Sequence, residues 1–253
     1  MDILNFASEL MDKGVAFCLA TVIRSVEPDI LPGKKVLIEV DGSMKGVLGS
    51  ALIEKELNKQ ALSYLKLNKS GSIELEGGVE VFLNTISPEA TLLICGAGHI
   101  AVPLAQFASQ IGFQVTVLDD RPDFANSDRF PKCQVKAEEF SSCLKEMSMG
   151  LSSYAVVITR GHEHDVECLR EILKKETAYV GLIGSRRRVR VVLELLEKEG
   201  IAANRLQSVY TPIGLPIAAE SPAEIAISIV SELVCVRRAG SKQTRALRAV
   251  AGV

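Results

Sequence analysis

The stretch "LLICGAGHIAVPLAQFASQIGFQVTVLDD", residues 92–120, decides the fold. A short apolar run leads into Gly96-Ala97-Gly98-His99-Ile100-Ala101. An amphipathic segment follows, then a second apolar run, then Asp119 and Asp120. Gly96 permits a tight turn after a strand. Gly98 lets a phosphate approach the backbone, and the small Ala101 lets the following helix pack closely on the strand. The N-terminus of that helix offers free N–H groups and a positive dipole end to an anion. Ile100, Leu104, Phe107, Ala108 and Ile111 form its apolar stripe. Asp119 ends the second strand at roughly the 20-residue spacing of an acid that accepts from a ribose hydroxyl. Asp119 and Asp120 together lean towards NAD, although Arg121 would tolerate a 2′-phosphate. The pattern predicts a Rossmann-like unit, but such a frame does not dictate its ligand.

Outward from this stretch, strand and helix alternate from Thr91 onward. Strands are expected at 92–95, 114–119, 154–158 and 178–183, and further ones at 134–136 and 207–210, with helices between them. The alternation predicts an α/β fold with a parallel sheet and helices on both faces. Ser221, Pro222 and Glu224 mark the start of the last helix, and Arg237 and Arg238 its C-terminal end. The tail "SKQTRALRAVAGV" shows no clear core face and reads as poorly ordered or as a dimer contact. The N-terminal region reads as a small α+β unit. Ile3, Phe6, Ala7, Leu10 and Met11 share a helical face closed by Gly14. "VAFCLATVI" and "KKVLIEV" read as strands, "DGSMKG" as a turn before "VLG", "ALIEKELNKQALSYL" as a helix and "SIELEGGVEVFLN" as two short strands. The expected domains are 1–86 and 91–239, joined by "TISPEA", with a tail at 240–253.

Composition narrows the function. The 253 residues carry 29 basic and 31 acidic side chains, a net charge of −2, so no global field draws nucleic acid or a membrane. Trp is absent, and no apolar run approaches the roughly 18 residues of a membrane span. The N-terminus lacks the basic region of a signal peptide. Cys18, Cys95, Cys133, Cys143, Cys168 and Cys235 lack paired short spacings, as expected of reduced cytoplasmic thiols rather than disulfides or a zinc site.

Two further motifs fall on the same expected sheet edge. In "VVITRGHEHD" the strand ends at Thr159, placing His162 and Asp165 in a loop where open α/β sheets bind ligands. Asp165 also reads as a helix N-cap, and the histidines as solvated loop residues. His162 and His164 lack a third ligand beyond Asp165 or His99, so no metal is expected. In "GLIGSRRRVR", Gly184 precedes Ser185 as N-cap, and arginines crowd a first turn where cations are unfavourable. A bound anion at Arg186 and Arg187 would account for them; solvated or acid-paired arginines are the plainer reading. No base–nucleophile set accompanies the cofactor motif, and no tyrosine has a lysine four residues on.

Taken together, "VEVFL", "ICGAGHIAVPLAQFASQIGFQVTVLDDRPDFA", "RFP", "TRGHEHD", "YVGLIGSRRR" and "TPIGLPIAAESPAEIAISIVSELV" resemble the XdhC/CoxI family of xanthine dehydrogenase accessory factors. The resemblance is strong over residues 78–238 and weak before them. It implies a cytoplasmic homodimer that binds the molybdenum cofactor (molybdopterin), promotes its sulfuration with a cysteine desulfurase, and passes it to a molybdenum hydroxylase apo-enzyme. Family members commonly carry a Gly-Gly-Cys turn in the N-terminal unit. Here "GVLGSALIE" puts Leu52 at the cysteine's place, and Cys18 is the conceivable substitute. The cofactor would lie along Gly96, Ala97, Gly98, His99 and Ile100, with Asp119 and Arg121 on a sugar or pterin edge. Thr159, His162, Asp165, Gly184, Ser185, Arg186 and Arg187 would complete the site. The alternative is an NAD(P)-dependent oxidoreductase with His162 as proton donor; a third is a scaffold that only contacts the apo-hydroxylase.

Overall fold

The computed structural model describes residues 3–67 and 69–250. The chain divides into two compact units, Met1–Pro88 and Glu89–Val253.

The first unit runs α1 (Ile3–Asp12), β1 (Phe17–Arg24), β2 (Lys35–Glu39), β3 (Met44–Lys45), α2 (Ala51–Leu67), β4 (Gly71–Leu75) and β5 (Val79–Ile86). Its sheet is antiparallel in the order β3-β2-β1-β5-β4. Alternation along the strands sorts the side chains. Cys18, Ala20 and Val22 of β1 join Val81 and Leu83 of β5 beneath Ile53, Leu57 and Ala61 of α2. Phe17 and Leu37 on the other face meet Ala7 and Leu10 of α1. Met11, read onto the buried face of α1, is exposed instead. The β2–β3 turn is tighter than expected. Gly42 N–H donates to Glu39 O, and Ser43 N–H to Asp41 Oδ1, so the third strand lies inside "DGSMKG" and "VLG" forms none.

The second unit contains β6 (Thr91–Cys95), α3 (Ala101–Gln110), β7 (Gln114–Leu118), β8 (Gln134–Lys136), α4 (Phe140–Glu146) and β9 (Ser153–Val157). It continues with α5 (His162–Ile172), β10 (Tyr179–Leu182), α6 (Arg186–Lys198), α7 (Ala203–Ser208) and α8 (Pro222–Val250). All strand pairs are parallel, in the order β10-β9-β6-β7-β8. The chain therefore builds outward from β6 in one direction, then crosses back to β9. The order reverses between β6 and β9, and open sheets bind ligands outside the carboxyl ends of the strands at such a point.

Helices cover both faces. Leu92 and Ile94 of β6 pack with Leu104 and Ala108 of α3 and Ile229 and Leu233 of α8. Leu93 and Cys95 pack on the opposite face with Leu144 of α4, Leu169 of α5 and Val192 of α6. Each fully buried leucine or valine stabilises the fold by about 1.5–3 kcal/mol. The strand expected at 207–210 is absent. α7 holds the chain to Ser208, and only Tyr210 bridges the edge strand, at Gly181. The start of α8 has its capping box: Ser221 N–H donates to Glu224 Oε2 at 2.8 Å, and Glu224 N–H to Ser221 Oγ at 3.3 Å.

The tail differs from its sequence reading. α8 breaks at Gly240 and resumes to 250, with Thr244 and Arg248 buried. Its inner face is polar, which apolar periodicity does not register. Arg248 pairs with the fully buried Glu232 and donates to Pro212 O at 2.6 Å. Glu232 also accepts from Tyr179 Oη at 2.5 Å and from Gly214 N–H at 3.0 Å. This cluster fixes the "TPIGL" loop against α8. Residues 251–253 of the tail lie outside the described residues.

Candidate functional site

β6 delivers the chain to Gly96 at the point of order reversal. Its φ is +110°, and a Cβ there would stand 2.5 Å from Ile158 O, just beyond β9. Glycine is required because the exits of two strands touch through backbone. Ala97 is buried, and its N–H donates to Asp119 Oδ2 at 2.8 Å. At Gly98 a Cβ would meet no atom within 4 Å, so the approach to the backbone is open. Among the described residues no side chain caps the N-terminus of α3. His99 is exposed and Ile100 half-buried. A cavity of about 510 Å³ spans this turn and the end of β9, and its walls include Gly98, His99, Ile100, Arg121, Thr159 and Arg160.

Asp119 is placed as the spacing predicts but is not free to accept from a ligand. It is 1 % exposed. Its oxygens accept from Ala97 N–H, from Arg121 N–H at 3.1 Å, and from Arg121 Nε and Nη2 at 2.8 and 2.9 Å. Burial opposes its charge, but the bonds from Arg121 and Ala97 outweigh that, and the carboxyl lies below its ordinary range. Arg121 stacks on Phe124 with its guanidinium carbon 3.9 Å from the ring centroid. Arg160, which sequence reasoning missed, is held by Asp120 at 2.5 and 2.8 Å. Those bonds hold Asp120 at about 2. Arg129, also missed, donates to Ala97 O and Phe124 O, each at 2.8 Å, and so braces the glycine turn. A lone loop arginine has no spacing signature. The available signal for Arg160 was its place one residue after Thr159 at the reversal point.

The other expected site residues divide. Thr159 lines the cavity, but its hydroxyl is engaged with Asp165 Oδ1 at 2.6 Å. Asp165 is completely buried in the first turn of α5 and also takes Arg188 Nε at 2.6 Å. Burial pushes its carboxyl up, against the bonds from Thr159 and Arg188. It ties α5 and α6 to the end of β9 and cannot touch a ligand. His162 opens α5, exposed and outside the cavity lining. His164 instead contacts Glu167 at 3.2 Å. Ser185 caps α6, accepting from Arg188 N–H at 3.3 Å.

The arginine run resolves differently from its sequence reading. Arg188, not Arg186 or Arg187, turns inward, because it shares the face of Val192 one turn on. Arg187 is exposed, and Gly184 and Arg186 line a different cavity of about 690 Å³ along α6 and α7. Among the described residues no group of three or more His, Cys, Asp or Glu is placed to hold a metal. In the first unit Leu52 is exposed on the first turn of α2. Cys18 is fully buried in β1 and its thiol is pushed up to about 11 by burial, so it does not replace the missing cysteine as a thiolate.

The model of the XdhC Rossmann domain matches residues 92–233, more than half of the chain. The chain belongs to the XdhC Rossmann domain family. This XdhC-family chain is 27% identical over 254 residues to the uncharacterized protein YqeB of Escherichia coli, covering 94% of the chain and 46% of that protein. It is 34% identical over 159 residues to a probable xanthine dehydrogenase subunit of Bacillus subtilis, covering 62% and 46% respectively. The chain thus spans about half the length of the curated relatives it matches. In fold it is similar to the crystal structure of a xanthine dehydrogenase from Bacillus halodurans, with a TM-score of 0.56 and 22% identity over 94% of this chain and 96% of that one. No helix among the described residues is long and apolar enough to cross a membrane.

Proposed function

We propose that this chain is an accessory factor for a molybdenum hydroxylase of the xanthine dehydrogenase type, which binds the phosphorylated molybdenum cofactor and hands it to the apo-enzyme. One observation carries the reading: the cavity at the sheet's reversal point joins an open glycine turn to two arginines. The XdhC family match and the likeness to a probable xanthine dehydrogenase subunit of Bacillus subtilis support the choice of target. The residues fit a phosphorylated group. Gly98 leaves the approach volume empty, the start of α3 is uncapped, and Arg121, Arg160 and His99 stand at the wall. Gly98 and the first turn of α3 would hold the phosphate, and Arg121 and Arg160 would orient the far end. When bound, the cofactor supplies the metal chemistry of the hydroxylase; this chain binds, orients and shields it. With Leu52 exposed and Cys18 buried, sulfur for the cofactor comes from a cysteine desulfurase partner rather than from these positions. The reading includes a homodimer working in the cytoplasm.

The test pairs two measurements. Ligand extracted from the purified protein is identified by mass spectrometry, where a pterin is expected. Hydroxylase activity per unit of hydroxylase protein is compared with and without the co-expressed chain, and should rise without a rise in the enzyme's amount. Extracted nicotinamide, turnover of NAD(P)H across a panel of alcohols, aldehydes and hydroxy acids, and no effect on the hydroxylase would reverse the conclusion.

A further inference from the structure

We propose that the Arg121–Arg160 corner of this cavity selects a ligand end that is a phosphate monoester and rejects one that is a nucleoside vicinal diol. The inference rests on the cavity being the cofactor site. A carboxylate offers about four acceptor positions. At Asp119 four bonds fill them: Arg121 N–H and Nε on Oδ1, Ala97 N–H and Arg121 Nη2 on Oδ2. Arg160 Nη1 also stands 3.9 Å from Oδ1, and at 1 % exposure the carboxylate is closed to a ligand hydroxyl. In a diol-reading site that acid is the acceptor for the sugar hydroxyls. Here Arg121 lies over it, packed on Phe124. Asp120, the next carboxylate, gives one acceptor position on each oxygen to Arg160 and does not line the cavity.

The remaining capacity is of one kind. A guanidinium has five N–H donors. Arg121 directs two at Asp119 and Arg160 two at Asp120, so about three remain on each. Arg121 and Arg160 line the cavity while Asp119 and Asp120 do not, so the charged groups that meet a ligand at this corner are donors. A phosphate monoester is the complementary partner, with three acceptor oxygens and a geometry matched by paired guanidinium N–H groups. A vicinal diol would leave its own hydroxyl protons unmet in a half-enclosed site. The two acids and two bases cancel formally, so recognition comes from donor geometry rather than from net charge.

Calorimetric titration of the full chain with paired probes tests this. The pairs are NADP⁺ against NAD⁺, and the pterin cofactor as its monoester against its dinucleotide. The monoester member should bind roughly tenfold or more tightly, the worth of about one charge-assisted hydrogen bond. Arg160→Ala and Arg121→Lys should each shrink that gap, whereas Gly98→Val should weaken both members alike. Arg160 is the safer variant because its partner Asp120 is reached by solvent, and thermal melts confirm folding of each protein. Equal or reversed affinities, with Gly98→Val still weakening both members, overturn this inference and leave the cofactor reading intact. A gap that survives both arginine variants overturns it too. Binding of no pair overturns the cofactor reading and this inference together.

Discussion

At the scale of single residues, the two glycines of the turn have opposite requirements. Gly96→Ala drives a methyl to 2.5 Å from Ile158 O at a φ of +110°, and should destabilise the second unit by about 1–3 kcal/mol or more. Gly98→Ala meets nothing and should leave the melting temperature within error of the parent. Equal melting shifts for the two would contradict the geometry. Asp120 carries a pH signature. Its pKa is depressed to about 2 by Arg160, from an unfolded value of about 3.9. The stability it contributes is therefore fully present above about pH 4 and is lost as pH falls towards about 2. Melting curves across that window should fall more steeply for the parent than for Asp120→Asn. Parallel curves would show that the pair has no effect on folding. Asp119 was legible in sequence by spacing alone. Its engagement by Arg121 was not, because spacing reports where a carboxylate stands and not which donors have filled it.

At the scale of elements, α8 and its continuation show what periodicity can and cannot reveal. The capping residues Ser221 and Glu224 were readable because caps are local chemistry. The inward face of the tail was not, since it consists of Thr244 and Arg248 rather than an apolar stripe. Arg248→Ala leaves the fully buried Glu232 without its cation and should cost about 3–5 kcal/mol. Chemical denaturation of the parent and variant measures it. A loss below about 1 kcal/mol (a level typical of exposed pairs) would mean that the pair is not buried in solution. The same limit explains the arginine run. Three cations in the first turn of α6 looked like an anion site, yet one of them balances the buried Asp165. Helical spacing held a clue, because Arg188 lies four residues before the core residue Val192. What it could not supply was the acid 23 residues away in sequence.

At the scale of the whole molecule, each unit has its own sheet and its own buried core. Residues 89–253 expressed alone should therefore melt cooperatively and keep the cofactor affinity of the full chain. A broad, non-cooperative transition, or affinity lost in a folded fragment, would show that the first unit is needed. The parallel sheet was legible because strand–helix alternation admits few other arrangements. The covering of Asp119 by Arg121 also bears on how such sites diversify. The acid that a diol-reading nucleotide site needs is still in place, serving as a strut for the glycine turn. Arg121 stands over it, with Arg160 Nη1 farther off at 3.9 Å from Oδ1. Replacement of Arg121 by a small residue such as serine would uncover the carboxylate without moving any strand. Ligand preference at this edge is thus within reach of a single codon, which makes the scaffold a short evolutionary step from a diol-binding nucleotide site and an accessible starting point for redesign.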